Sequence, residues 1–247
     1  MSSLEISNNK LIQKNQNNKS NFRKRLVPGI ALILLAVFFY IIPVFYFNFF
    51  LVVILFFFLI GGGLEINRNR KRIDTKKRNI VQKVFSIHFC LSLTLLALLG
   101  LGILGGNGQY WFVSTVIIVG IACDLAAYST GNIWKKFWRT HKLAPVISPN
   151  KTVEGAVASF IVSPVLSWLL GTRLLFLDWY IAIGLGFVIA LFAIIGDLFE
   201  SYYKRTMGIK DSGAFFGGHG GFLDRIDGHQ GAVYGVVVVI ILVSLMG

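Results

Sequence analysis

Residues 26–63 run for 38 positions without one charged side chain. A membrane-crossing helix needs about 20 predominantly apolar residues, so this run is too long for one crossing and reads as two helices turning near 43–48. Further apolar runs cover residues 84–104, 111–130, 153–170, 179 to about 199, and 232–246, the last of them the shortest. The pattern predicts an all-α, polytopic integral membrane protein of about seven transmembrane helices. A chain that is 55% hydrophobic with mean hydropathy +0.70 is no soluble globule. Residues 1–25 are rich in Asn, Lys and Ser and have little to bury. They read as a disordered basic tail before a single membrane domain at 26–247. The first apolar run starts too late and is too long for a signal peptide, so none is expected.

The charges test this helix count. The tail carries six Lys or Arg, residues 65–83 carry eight and residues 132–152 five, whereas 171–178 carry only Arg173 and 105–110 none. With seven helices every basic segment falls on one side, which the positive-inside rule makes cytoplasmic, the N-terminus included. That placement also accounts for the net charge of +13 without nucleic acid. The expected location is a bacterial inner membrane or an organelle membrane, with the polar loops facing the cytoplasm. Cys90 and Cys123 lie in apolar runs without metal-ligand spacing and read as small core residues.

Between the last two apolar runs lies GDLFESYYKRTMGIKDSGAFFGGHGGFLDRIDGH, residues 196–229. It holds Asp197, Glu200, Asp211, Asp224 and Asp227, the bases Lys204, Arg205, Lys210 and Arg225, and His219 and His229. No lipid-facing helix carries that load. Acids that can hold a cation, bases that can hold phosphate and glycines that admit a ligand to the backbone point to metal-assisted phosphate chemistry at the membrane surface. Asp197, Glu200 and Ser201 share a helix face at i, i+3, i+4, and Asp224 and Asp227 are again i, i+3. Each pair alone could be an ion-paired helix end or a loop salt bridge. Together they form a candidate two-metal carboxylate set. The glycines around His219 make no GxxxxGK[ST] loop, so a Walker reading fails.

Two other segments carry chemistry. In SPNKTVEG, residues 148–155, Thr152 can cap the helix that follows and Glu154 suits the positive end of its dipole. Lys151 is left over and fits a phosphate contact at that helix N-terminus. Asp124 interrupts an apolar run and is a candidate by its position alone.

Ser201-x-x-Lys204-Arg205, then Lys210-Asp211-x-Gly213, then His219-Gly220-Gly221-x-x-Asp224-Arg225-x-Asp227 resembles the signature of phosphatidate cytidylyltransferases, the CDP-diacylglycerol synthases. Asp124-x-x-Ala127-Tyr128-x-x-Gly131, Ser148-Pro149-x-Lys151-Thr152-x-Glu154-Gly155 and Gly196-Asp197-Leu198-x-Glu200-Ser201 are similar to further blocks of that family, in order. The chain departs from the pattern at Gly228 (Ser expected), Gly217 (Pro common) and Trp134 (Gly usual). Its 131–141 segment is longer than usual, and the chain is short for the family by about a helix.

The resemblance implies an enzyme that uses CTP and phosphatidate in a lipid bilayer, releases diphosphate and needs Mg²⁺, with K⁺ a second cation in some members. It implies Asp197 and Asp224 as metal ligands, with Asp227 and Glu200 as alternates, and a catalytic set of Asp197, Asp224, Asp227, Lys204 and Arg205. Substrate contacts are then expected from Lys151, Thr152, Glu154, Ser201, Lys210, Asp211, His219, Arg225 and Asp124. A homodimer is compatible with it. Rival readings are another CTP-using lipid enzyme, such as a lipid kinase that would release CDP, and a transporter with Asp124 and Asp197 as an ion path. Charge gathered in one asymmetric stretch argues against the transporter.

Overall fold

The computed structural model describes residues 44–100, 109–215 and 220–246. Six helices account for nearly all of them: α1 (Val44–Arg70), α2 (Lys76–Gly100), α3 (Gln109–Phe137), α4 (Val153–Leu174), α5 (Trp179–Thr206) and α6 (Leu223–Met246). All six are long and apolar enough to cross a membrane. Helices suit this setting because each satisfies its own backbone where no water can. The helix expected before residue 43 and the glycine turn at 105–108 lie outside the described residues.

The helices overrun the boundaries expected from hydropathy. Residues 65–83 are not a loop: α1 continues to Arg70 and α2 begins at Lys76, leaving 71–75 as the link. Likewise α3 runs on to Phe137, α5 to Thr206, and α6 starts at Leu223 instead of near 232. With 24 residues α6 is not the shortest of the described helices; α4, with 22, is. Lys, Arg and Glu are good helix formers, so a helix need not end where the apolar run ends. The turn expected at 43–48 is helical from Val44 onward. Residues 142–152, expected as loop, contain a small antiparallel hairpin of β1 (Lys142–Ala144) and β2 (Ser148–Thr152), a minor addition to the all-α fold.

A single hydrophobic core draws on every helix. Within it Phe85 stacks on Tyr203, ring centroids 4.0 Å apart at 8°, while Leu185, Ile189, Val233 and Val236 are buried further along α5 and α6. The fully buried Tyr203 needs a partner for its hydroxyl. It donates to Gln82 Oε1 at 2.9 Å, while Gln82 Nε2 donates to the Ile66 carbonyl at 2.8 Å, so a polar chain ties α5 to α2 and α1.

The contact that builds the site is α5 on α6. A Cβ on Gly196 would lie 2.7 Å from the Asp227 carbonyl and 2.8 Å from the Gly231 amide, and one on Gly231 would overlap the Phe192 carbonyl. The missing side chains let the two backbones touch, as small residues do where membrane helices cross closely. Asp197 follows Gly196 directly, and Asp227 supplies one of the carbonyls at the crossing.

Candidate active site

The acids of α5 and α6 converge where the two helices cross. Asp227 is an electrostatic neighbour of Asp197, Glu200 and Asp124. Its own carboxylate receives the Gly228 amide at 2.9 Å. Glu200, 2% exposed, is within hydrogen-bonding reach of Asp227. Its Oε1 has no donor among the described residues. Two facing carboxylates with an orphaned buried oxygen require a proton or a cation between them.

Lys204 partly answers that need. Its Nζ lies 3.2 Å from Glu200 Oε2 and 2.7 Å from Asp224 Oδ1, and the side chain is buried. Expected in the catalytic set or in an ion-paired helix end, it gives its charge to two acids. Asp224 is otherwise held by the segment before α6. Its Oδ2 accepts from the Ser212 amide, the Ser212 hydroxyl and the Gly221 amide, each at 2.8 Å. Gly220 has φ +83°, and a Cβ there would lie 2.6 Å from Asp224 Oδ2, so only glycine fits.

From the opposite side β2 delivers Lys151 to Asp197 as a partly buried ion pair. The neighbouring Thr152 is the N-cap of α4, its hydroxyl accepting from the Gly155 amide at 3.1 Å, as its place in the sequence predicts. Glu154 binds His141 twice, through its amide at 3.0 Å and its Nδ1 at 2.9 Å, and so closes the hairpin. Asp124 of α3 faces α6 at Gly228, where a Cβ would come 3.3 Å from both carboxylate oxygens. The departure from Ser at 228 therefore falls against a predicted site residue.

The remaining predicted residues spread around this group. Ser201 is buried beside it on α5. Arg205, Lys210, Asp211 and Arg225 are exposed, with Arg205 Nε donating to the Ile147 carbonyl at 3.1 Å. His219 lies outside the described residues, as does Gly217. Of the 131–141 segment, residues 131–137 belong to α3. There Trp134 and Trp138 are exposed with ring centroids 4.8 Å apart, as aromatics at a membrane interface are.

Sequence reasoning missed Glu65, Asn69 and Ser212. Glu65 falls in the basic 65–83 segment and has no role in the sequence reading, yet it is buried against the 212–223 segment. A lone acid closing a long apolar run was the available signal.

Among the described residues no three acids, imidazoles or thiols are grouped closely enough to hold a metal ion as they stand. The donor chemistry nevertheless suits a hard cation: five carboxylates, two ammonium groups paired with three of them, and the orphaned Glu200 Oε1 beside Asp227.

The sequence matches the model of the Cytidylyltransferase family over residues 10–245. It is 42% identical over 112 residues to a phosphatidate cytidylyltransferase of Helicobacter pylori, covering 45% of this chain and 40% of that protein. It is 41% identical over 125 residues to one of Staphylococcus saprophyticus, covering 49% and 45%. A Staphylococcus aureus relative is 39% identical over the same length. The chain thus spans less than half the length of the curated relatives it matches. Because the family model covers nearly all of it, the chain belongs to the cytidylyltransferase family.

Proposed function

We propose that this protein transfers the cytidylyl group of CTP to phosphatidate in a membrane, giving CDP-diacylglycerol and diphosphate. The observation that carries the reading is the meeting of Asp197, Glu200, Asp224 and Asp227 with Lys151 and Lys204 at one end of a membrane bundle. The names of its relatives agree with it. A phosphatidate oxygen attacks the α-phosphorus of CTP as the bond to the β-phosphate breaks, and diphosphate leaves with the electron pair. That oxygen is already a nucleophile, so positioning and charge neutralisation carry the catalysis.

Glu200 and Asp227, with Asp197 and Asp224, are the residues that would hold Mg²⁺, and K⁺ as a second cation. Bound there, Mg²⁺ would neutralise phosphate charge. Lys204 holds Glu200 and Asp224 in register, and Asp124 positions α3 against the site. Lys151 can exchange Asp197 for a phosphate oxygen. The exposed Arg205, Lys210 and Arg225 meet the diphosphate or the lipid headgroup, with Ser201 and Asp211 at the edge. Thr152 and Glu154 act by shaping the loop that presents Lys151. The site faces the cytoplasm, where CTP is available, as the basic helix ends argue. A homodimer is compatible with this reading, and the mass of the detergent-solubilised enzyme tests it.

Purified protein in detergent is given cytidine-labelled CTP, phosphatidate and Mg²⁺, and the lipid phase is extracted. We expect label in lipid and diphosphate in water, with activity down at least ~100-fold in Asp227→Asn and Asp224→Asn. Release of CDP instead would replace the reading with lipid phosphorylation.

A further inference from the structure

Glu65 stands on α1, more than 150 positions in sequence from α6, yet its carboxylate is built into the start of that helix. Oε1 accepts from the Phe222 amide at 2.9 Å and Oε2 from the Leu223 amide at 3.2 Å. These are donors that a helix N-terminus leaves without intrahelical partners. A carboxylate is favoured there by the helix dipole as well. Capping groups usually come from the chain just before a helix; this one comes from another helix. Glu65 Oε2 also accepts from the Ser212 hydroxyl at 2.9 Å, and the same hydroxyl lies 2.8 Å from Asp224 Oδ2.

A serine hydroxyl has one proton, so Glu65 and Asp224 share it. Each depends on the other for where that proton points. Asn69, one turn along α1, donates to the Ser212 carbonyl at 3.2 Å and fixes the same residue from a second direction. Space has been cleared for the arrangement. A Cβ on either Gly213 or Gly221 would overlap the Glu65 carboxylate. Gly213 and Gly221 both belong to the signature spacing, and in this structure the room they leave is filled by Glu65.

We propose that Glu65 is a positioning residue for cytidylyl transfer: it holds the start of α6 and, through Ser212, sets the Asp224 carboxylate. The inference rests on the proposed reaction. It assigns a role to the N-terminal half of the chain, which the signature blocks from Asp124 to Gly228 do not reach.

Glu65→Gln, Ser212→Ala and the double variant are purified and assayed for kcat, KM for CTP and apparent Mg²⁺ affinity, with thermal midpoints recorded. Glu65→Gln keeps the shape but turns an amide N–H₂ toward backbone donors. The expected result is a loss of roughly 10–100-fold in kcat or Mg²⁺ affinity with KM for CTP within about twofold. The double variant should be no worse than the poorer single one, because the two residues act through one hydroxyl. Losses that multiply, or a wild-type kcat and Mg²⁺ affinity in Glu65→Gln, overturn the proposal. Should Glu65→Gln not accumulate, Glu65→Asp keeps the charge one methylene short, and a wild-type kcat and Mg²⁺ affinity there overturns it equally. A wild-type enzyme that makes no CDP-diacylglycerol would instead refute the proposed reaction.

Discussion

Glu200 and Lys204 show how much a single side chain decides at this site. Lys204 brings one buried positive charge to two acids, and Glu200 keeps one oxygen without a donor. Removing the ammonium while keeping the hydrocarbon, as in Lys204→Met, leaves buried carboxylates unpaired. We expect a loss of about 3–5 kcal/mol, read by denaturant titration in micelles. A change below ~1 kcal/mol, the scale of an exposed pair, would mean water already screens it. Glu200→Gln should do the opposite to stability and still harm function. Its amide can donate to Asp227, so the thermal midpoint should hold or rise, while the Mg²⁺ concentration for half-maximal rate rises ~10-fold or more. An unchanged Mg²⁺ requirement would remove Glu200 from the cation site. At this scale the residue types were legible in the sequence and their partners were not. The i, i+3, i+4 spacing put Asp197, Glu200 and Ser201 on one face. It allowed an ion-paired helix end, with Lys204 one turn from Glu200, but could not show that Lys204 would also reach across to Asp224.

Between elements, the α5–α6 crossing sets the spacing of the acids. Gly196→Ala would push its methyl into the backbone of α6. The expected cost is about 1–3 kcal/mol, with kcat falling as Asp197 moves from Asp227. Gly184, about three turns earlier in α5, has no atom within 4 Å of where its Cβ would stand. There Gly184→Ala should stabilise by up to about 1 kcal/mol through helix propensity and leave the rate alone. Equal effects of the two substitutions on the thermal midpoint and on kcat would show that the close crossing is not what organises the site. The helices themselves were readable from hydropathy, but their ends were not. Residues 65–70, 131–137, 200–206 and 223–231 are polar or glycine-rich enough to read as loop, and all are helical. Neighbouring helices and caps sustain them, such as the cross-helix bonds from Glu65 to the start of α6.

For the whole molecule, contacts far apart in sequence gather one set of helix ends. Arg78 of α2 reaches the Thr206 carbonyl at 3.0 Å, Arg205 of α5 reaches Ile147, Asn69 of α1 reaches Ser212, and Lys151 reaches Asp197. The 175–178 link lies at the other ends of α4 and α5. In a Cys90→Ala, Cys123→Ala background, cysteines placed at the exposed Lys71 and Val146 should react with an impermeant thiol reagent only from the cytoplasmic side. One at Phe176, 89% exposed, should react only from the other side. Labelling of Val146→Cys and Phe176→Cys from the same side would break the proposed topology. The sequence by itself determined that this chain crosses a membrane repeatedly as helices, that its charges collect at one set of ends, and which blocks resemble cytidylyltransferases. Those properties follow from composition and local spacing, because the cost of placing a group in lipid is set largely residue by residue. Only the tertiary structure decided which acid meets which base, that Lys204 is committed to Glu200 and Asp224, and that Glu65 enters the site. Pairing of charges depends on distances across helices, and those are set by backbone approach at residues such as Gly196, Gly213, Gly221 and Gly231.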